Sequence, residues 1–221
     1  MVSGKANSSS PGSFAGEDRR TRRRGERRAK PPLTEANLRD LALHYAARFA
    51  ATGARLEAYL ARKIRERGLA EDAEGRAIQP DIPALVVRLA ELGYVDDDAY
   101  ARMRARDLSQ RGYGARRVEE SLRHAGVAEP LRAVHAPGEA ASRRAAVLMA
   151  QKRRLGPFGA AMEDIADPLA RNKAREKAVA AMLRAGHQYG HVKAILAARG
   201  IEEVEEWLAE AGADEGTQGP W

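Results

Sequence analysis

From Leu33 onward the apolar residues recur at helical spacing, and the breaks between runs are marked by glycine or proline. Leu38, Leu41, Leu43, Tyr45 and Phe49 supply the apolar positions of a first helix over Thr34 to Ala51, which Thr34 with Asn37 opens and Gly53 breaks. Leu56, Tyr59, Leu60 and Ile64 form the stripe of a second helix that ends at Gly68-Leu69. A polar connector runs from Ala70 to Gln79. Asp81 and Pro83 then suit the start of a third helix, Pro80 to Leu92, with Ile82, Leu85, Val86 and Leu89 facing inward.

The stretch from Leu92 to Val127 organises the chain. Gly93-Tyr94 closes one helix, and Asp96-Asp97-Asp98 suits the cap and first turn of the next. Over Tyr100 to Leu108 the inward positions are Tyr100, Ala101, Met103 and Leu108, with Arg102, Arg104 and Arg106 on the remaining faces. Gly112-Tyr113-Gly114 breaks this helix, and a following one carries Val118, Leu122 and Ala125 on one stripe before Gly126-Val127. A short helix from Ala128 to His135 stops at Pro137-Gly138, and Glu139 to Leu155 forms a longer one with a basic end. Ala160 to Leu169, between two prolines, reads as a short helix or a surface loop. Asn172 to Ala185, Tyr189 to Ala198 and Glu202 to Ala211 complete the pattern.

The pattern repeats. An offset of 74 places Gly112 on Gly186, Val118 on Val192, Leu122 on Leu196, Gly126 on Gly200 and Val127 on Ile201, and an offset of 58 places Leu60, Ile64, Gly68 and Leu69 on Val118, Leu122, Gly126 and Val127. Units of this kind bury their faces on neighbours, so the expected fold is all-α, an elongated curved array. The expected organisation is a disordered, arginine-rich tail over 1–32, a first repeat over 33–94, a second with its long connecting helix over 95–155, a linker over 156–171, a third repeat over 172–213 and a short tail over 214–221.

Gly93-Tyr94-Val95-Asp96-Asp97-Asp98-Ala99-Tyr100-Ala101, then Arg111-Gly112-Tyr113-Gly114-Ala115-Arg116-Arg117-Val118, then Leu122 and Gly126-Val127 resemble, in order and spacing, the central repeat of the RecX family, regulators of the RecA recombinase. The repeat-motif positions are therefore Gly93, Tyr94, Asp96, Asp97, Tyr100, Gly112, Gly114, Val118, Leu122 and Gly126, with Tyr94 and Tyr100 expected to brace the repeat. Ala115 departs from the family's frequent proline, and His187-Gln188 stands where the family usually has phenylalanine and a small polar residue. The resemblance implies three tandem three-helix repeats and a protein that binds the RecA filament on single-stranded DNA. It implies restraint of recombinase, ATPase and coprotease activity in homologous recombination, DNA repair and the SOS response.

Composition narrows the classes. The chain of 221 residues is 44% hydrophobic but only 5% aromatic, which fits thin alanine-rich and arginine-rich repeats better than a deep globule. It has no cysteine, so disulfides and thiolate metal sites are excluded. No apolar run approaches the length of about 20 residues that spans a bilayer, and a cytoplasmic protein without a membrane partner is expected. The net charge is +7, and it is unevenly placed. Residues 1–32 hold nine Lys or Arg against three acids, whereas residues 201–221 hold seven acids and no Lys or Arg.

The candidate chemistry is binding, not catalysis. Asp96-Asp97-Asp98 reads as capping and dipole partners ahead of a magnesium site, and His187 with His191 as a solvated pair ahead of a zinc site with no third ligand. No phosphate loop, nucleophile elbow or dinucleotide fingerprint is present. No metal, cofactor or catalytic residue is expected. The candidate contacts are Arg102, Arg104, Arg106, Arg111, Tyr113, Arg116, Arg117 and Arg123, with Lys152, Arg153 and Arg154 in the next helix. A basic stripe of this kind suits a polyanion, single-stranded DNA first and duplex DNA second, or the acidic surface of a filament. Half of these arginines are expected to be an ordinary solvated face. The protein is expected to be a monomer. The competing readings are a helical DNA-binding module, transcriptional or architectural, and a scaffold that binds neither DNA nor recombinase.

Overall fold

The computed structural model describes residues 30–160 and 165–217, with side chains through Ala213. The expected disordered tail falls almost wholly on residues 1–29, outside the described residues, and the loop-or-helix question over Ala160–Leu169 falls partly on 161–164, outside them as well. Ten α-helices follow in order among the described residues: α1 Glu35–Arg48, α2 Gly53–Arg67, α3 Ile82–Glu91, α4 Asp97–Gln110, α5 Ala115–His124, α6 Glu129–Val134, α7 Glu139–Arg153, α8 Pro168–Arg184, α9 Tyr189–Ala197 and α10 Ile201–Thr217, with a 3-10 turn at Gly156–Phe158 before α8. The extended pairings among these residues are two isolated bridges, Leu33 with Leu69 and Glu71 with Ala77.

Side-chain caps set the helix starts. Thr34 and Asn37 form a capping box at α1, and Thr52, Asp81, Asp96 and Asp167 each accept a hydrogen bond from a free amide in the first turn of α2, α3, α4 and α8. Gly53, expected to break the first helix, is instead the first residue of the second. The repeat offsets reappear in the backbone: Gly112 and Gly186 take φ of 88° and 92°, and Gly68 and Gly126 take 72° and 76°. Glycine takes positive φ without a Cβ penalty, and α4, α5 and α8 each end two residues before theirs, whereas α2 ends directly at Gly68, whose ψ of 171° lies outside the left-handed helical region. Gly200 departs from the series. α9 runs into an extended Ala198, and the third copy lacks the left-handed stop.

Three apolar clusters fill the fold. Leu33, Leu38, Leu56, Leu60, Val86 and Leu89 hold α1 to α3, and Tyr100, Ala101, Leu108, Val118, Leu122 and Val127 hold α4 and α5. The third joins α7 to α8, α9 and α10 through Met149, Ala150, Met182, Val192, Ile195 and Val204. The long helix grouped with the second repeat in the sequence therefore shares its core with the third. Its alanines, Ala140, Ala145, Ala146 and Ala150, are buried, and their small volume lets α4 pack on it as well as α9 and α10. Truncating a fully buried leucine such as Leu122 to alanine is expected to cost about 2–5 kcal/mol.

Helix boundaries differ in two places. α8 begins at Pro168, inside the expected linker, because Asp167 caps it and proline suits the first turn. α10 continues to Thr217, beyond the expected end at Ala211. Two residues expected inside are half out. Phe49 is the extended C-cap of α1, so its side chain leaves the helical stripe, and Met103 lies on the outward face of α4 while Ala105 takes the inward place.

Candidate partner-binding surface

α5 is fixed at both ends by other repeats. At its start, Gly114 N donates to Ala185 O (3.0 Å) and Arg116 N to Gly186 O (3.2 Å), so free amides of α5 meet free carbonyls at the end of α8. A Cβ on Gly114 would overlap the Gly186 carbonyl. At the far end, the buried Thr52 hydroxyl donates to Ala125 O while accepting from Arg55 N, and Gly126 packs against Ala54. Asp97 adds a bond across the same joint, accepting from Gly53 N at 2.9 Å. α8, α5 and α2 are thus joined end to end with their dipoles in one sense, each carbonyl end facing the next amide end. This holds the exposed side of α5 in place.

That side carries Arg116, Arg117 and Arg123, which with Arg184 from the end of α8 line a cleft of about 710 Å³. The two acids in the lining are already engaged: Glu119 accepts from Arg132 Nε (2.7 Å) and Glu120 from Arg117 Nη1 (2.7 Å). The Arg117 hydrogen bond is the main reason the Glu120 carboxyl is held below its ordinary range. Arg116, Arg123 and Arg184 have no carboxylate partner among the described residues. The cleft is cationic because four arginines face two acids, of which Glu119 is turned to Arg132 outside the lining and Glu120 offsets Arg117 within it.

The other candidates divide. Arg102 pairs with Asp98 (2.9 Å), Arg111 with Asp107 (2.8 Å), and half-buried Arg104 donates to the Ser121 hydroxyl (3.0 Å) and reaches Asp107 (3.4 Å). These three tie α4 to itself and to α5. Arg106, Arg153 and Arg154 stay exposed, Arg154 as the left-handed cap of α7, and Lys152 donates to Arg111 O. Tyr113 is 39% exposed on its glycine turn, and Tyr100 is buried with Arg55 over its ring, whereas Tyr94 stands 52% exposed. Arg184 was not singled out in the sequence; the offset of 74 pairs it with Gln110, so the repeat gave no cationic signal there.

The aspartate run is structural at each position. Asp96 caps Ala99 N, Asp97 reaches Gly53 N, and Asp98 accepts from His135 Nε2 (2.6 Å) and Arg102, with the His135 bond the first cause of its lowered pKa. The histidines are not a solvated pair. His187 and His191 are 5% and 6% exposed, because the third-repeat turn is pressed into the second. His187 Nε2 donates to Gly112 O (3.1 Å) and its buried Nδ1 has no partner, and burial pushes its pKa down. His191 donates to Glu139 and lies edge-on to Trp207, under which Arg143 also packs. Arg143, the largest cause, and His191 together hold the Glu139 carboxyl below its usual range.

A family model described as the second three-helix domain of RecX matches residues 96–133, the span of α4, α5 and nearly all of α6. The chain is also 31% identical over 176 residues to the regulatory protein RecX of Myxococcus xanthus, covering 78% of this chain and 90% of that one. The chain belongs to the RecX family. The crystal structure of RecX from Lactobacillus salivarius shares its fold, with a TM-score of 0.54 and 16% identity over 78% of this chain and 97% of that one. As a RecX-family member it is a regulatory protein and not an enzyme. The segment matching the RecX domain contains both the cleft arginines of α5 and Asp97, which secures its joint with the first repeat. No described helix of this RecX-family chain is long and apolar enough to cross a membrane.

Proposed function

We propose that this RecX-family protein binds the RecA filament on single-stranded DNA and restrains its recombinase, ATPase and coprotease activities. The observation that carries the site assignment is the cleft in which Arg116, Arg117, Arg123 and Arg184 converge from two repeats with their neighbouring acids neutralised. A surface of this kind attracts phosphate or a carboxylate-rich face, and attraction to either weakens with salt. Arg104, half-buried against Ser121, serves α4–α5 packing more than contact. The protein acts as a monomer whose repeats bridge neighbouring recombinase subunits and slow the ATP-linked changes between them. The repeats are those laid out over 33–94 and 95–155 and a third that starts with α8 at Pro168 and runs through α10, with α7 shared between the second and third.

The reading of α5 as a DNA-recognition helix is disfavoured by its first turn. Recognition helices present the side chains of a free N-terminal turn to base edges. Here the amides of that turn are taken by the Ala185 and Gly186 carbonyls, so Arg116 and Arg117 open into the cleft beside the end of α8 and not from a free helix end. Arg116→Glu with Arg117→Glu tests the assignment. The pair is exposed, so helicity should be retained while the concentration needed to inhibit RecA ATP hydrolysis rises about tenfold or more, the loss of a little over 1 kcal/mol. Undiminished inhibition by the double variant would refute the cleft as the contact.

A further inference from the structure

α4 offers a second surface that the arginine cleft does not use. Its outward stripe of Ala99, Met103, Arg106 and Gln110 follows one helical face for about 16 Å. At one end Met103 meets Phe49 and Tyr94 around a hollow of about 290 Å³ with an alanine floor. These three side chains come from three different elements and are 50%, 51% and 52% exposed. Helix termination does not require this of Tyr94. At the corresponding positions after Gly126 and Gly186, Val127 and His187 are buried, and after Gly112 Tyr113 is less exposed than Tyr94, at 39%. About one turn further along α4, Arg106 borders a mostly apolar trough of about 410 Å³ against α7, which continues to Gln110 and has Ala141, Arg144, Ala145 and Leu148 on its other wall.

The rim of this track is cationic. Arg48 stands over the Phe49 ring at 5.7 Å, Arg106 lies between hollow and trough, and Arg144 flanks the trough. None of the three has a carboxylate partner among the described residues, and the acid beside the hollow, Asp96, is engaged in capping Ala99 N. The geometry points to a docking track for an acidic amphipathic helix of the recombinase, whose bulky apolar side chains two turns apart enter hollow and trough while its carboxylates meet Arg48, Arg106 and Arg144. The inference rests on the recombinase filament being the partner. Helical anchors at i and i+7 are about 10 Å apart, the separation of Met103 and Gln110 along α4. A protein fits better than a nucleobase: Arg48 covers the Phe49 ring, Tyr45 lies against it at 5.2 Å, and the Met103 thioether adapts to side-chain knobs.

Two variants test the track in the full chain. Met103→Glu places a carboxylate in the hollow, and Arg106→Glu with Arg144→Glu reverses the rim without touching a core. Each is expected to raise the concentration that half-inhibits RecA ATP hydrolysis on single-stranded DNA about tenfold or more, with wild-type helicity by circular dichroism. Met103→Glu should bind bare single-stranded DNA as the wild type does. Wild-type inhibition by both variants would overturn the docking track and leave the recombinase reading standing. Equal loss of bare-DNA binding by Met103→Glu would overturn it in favour of a nucleic-acid surface. A wild-type protein without effect on RecA would instead overturn the recombinase reading, and the track with it.

Discussion

Replacing Gly114 by alanine tests whether the second and third repeats are locked through backbone contact. Gly114 has φ of −77° and ψ of 166°, a conformation open to alanine, so backbone strain contributes nothing. The Cβ instead meets the carbonyl of Gly186 and the amide of His187, which are backbone atoms and cannot rotate away. Overpacking of this kind costs about 1–3 kcal/mol. Separation of the turns weakens the Gly114–Ala185 and Arg116–Gly186 bonds, at about 1 kcal/mol each. The total is about 3–5 kcal/mol, which for a chain of this size lowers the melting temperature by roughly 10 °C. Gly190→Ala in α9 is the control, since its Cβ meets nothing within 4 Å. It should be stabilising by about 0.5–1 kcal/mol through helix propensity alone. Thermal melts followed by circular dichroism compare the two. A Gly114→Ala protein that melts with the wild type, or above it as the control should, would refute the interlocked joint.

Thr52→Val keeps the side-chain shape but leaves Ala125 O and Arg55 N without their hydroxyl partner, and should cost about 1–3 kcal/mol in denaturant unfolding. His187→Phe should remove a pH dependence. The folded-state pKa of His187 is depressed, so its contribution is intact above the unfolded value near 6.5 and declines as pH falls through the folded one. Wild-type melting temperature should therefore drop more between pH 7 and pH 5 than that of the phenylalanine variant. Glu139 and Asp98, whose pKa values are lowered, lose their stabilising contribution only at more acid pH, as they protonate. Asp97→Ala should destabilise the joint between the first two repeats by about 1 kcal/mol, measured by the same melts, because Gly53 N loses its acceptor.

The helices were legible because their signals are local. Thr34 with Asn37, Asp81 before Pro83 and Asp96 each declared a start, and Gly68, Gly93, Gly112, Gly126 and Gly186 declared ends that the backbone realises with positive φ. What escaped the sequence depends on pairs far apart along the chain. Asp97 looks like a first-turn acid yet spends its carboxylate on a helix 44 residues upstream. His187 and His191 looked solvated because nothing local shows that their turn presses against Gly112 and Glu139. The arginines of α4 and α5 were indistinguishable as a list. Only packing separates Arg104, tied to Ser121, from Arg116, which has no described carboxylate partner, and only the α8–α5 joint brings Arg184 beside them. Periodicity places Phe49 and Met103 inward, but the first falls just past the end of its helix and the second yields its inward place to Ala105.

The most direct measurement is ATP hydrolysis by RecA on single-stranded DNA with this protein added well below one copy per recombinase subunit, at moderate salt. Filament bridging predicts strong inhibition at that ratio, since one array would then act across several subunits. Unchanged hydrolysis, together with tight binding to bare DNA, would contradict it.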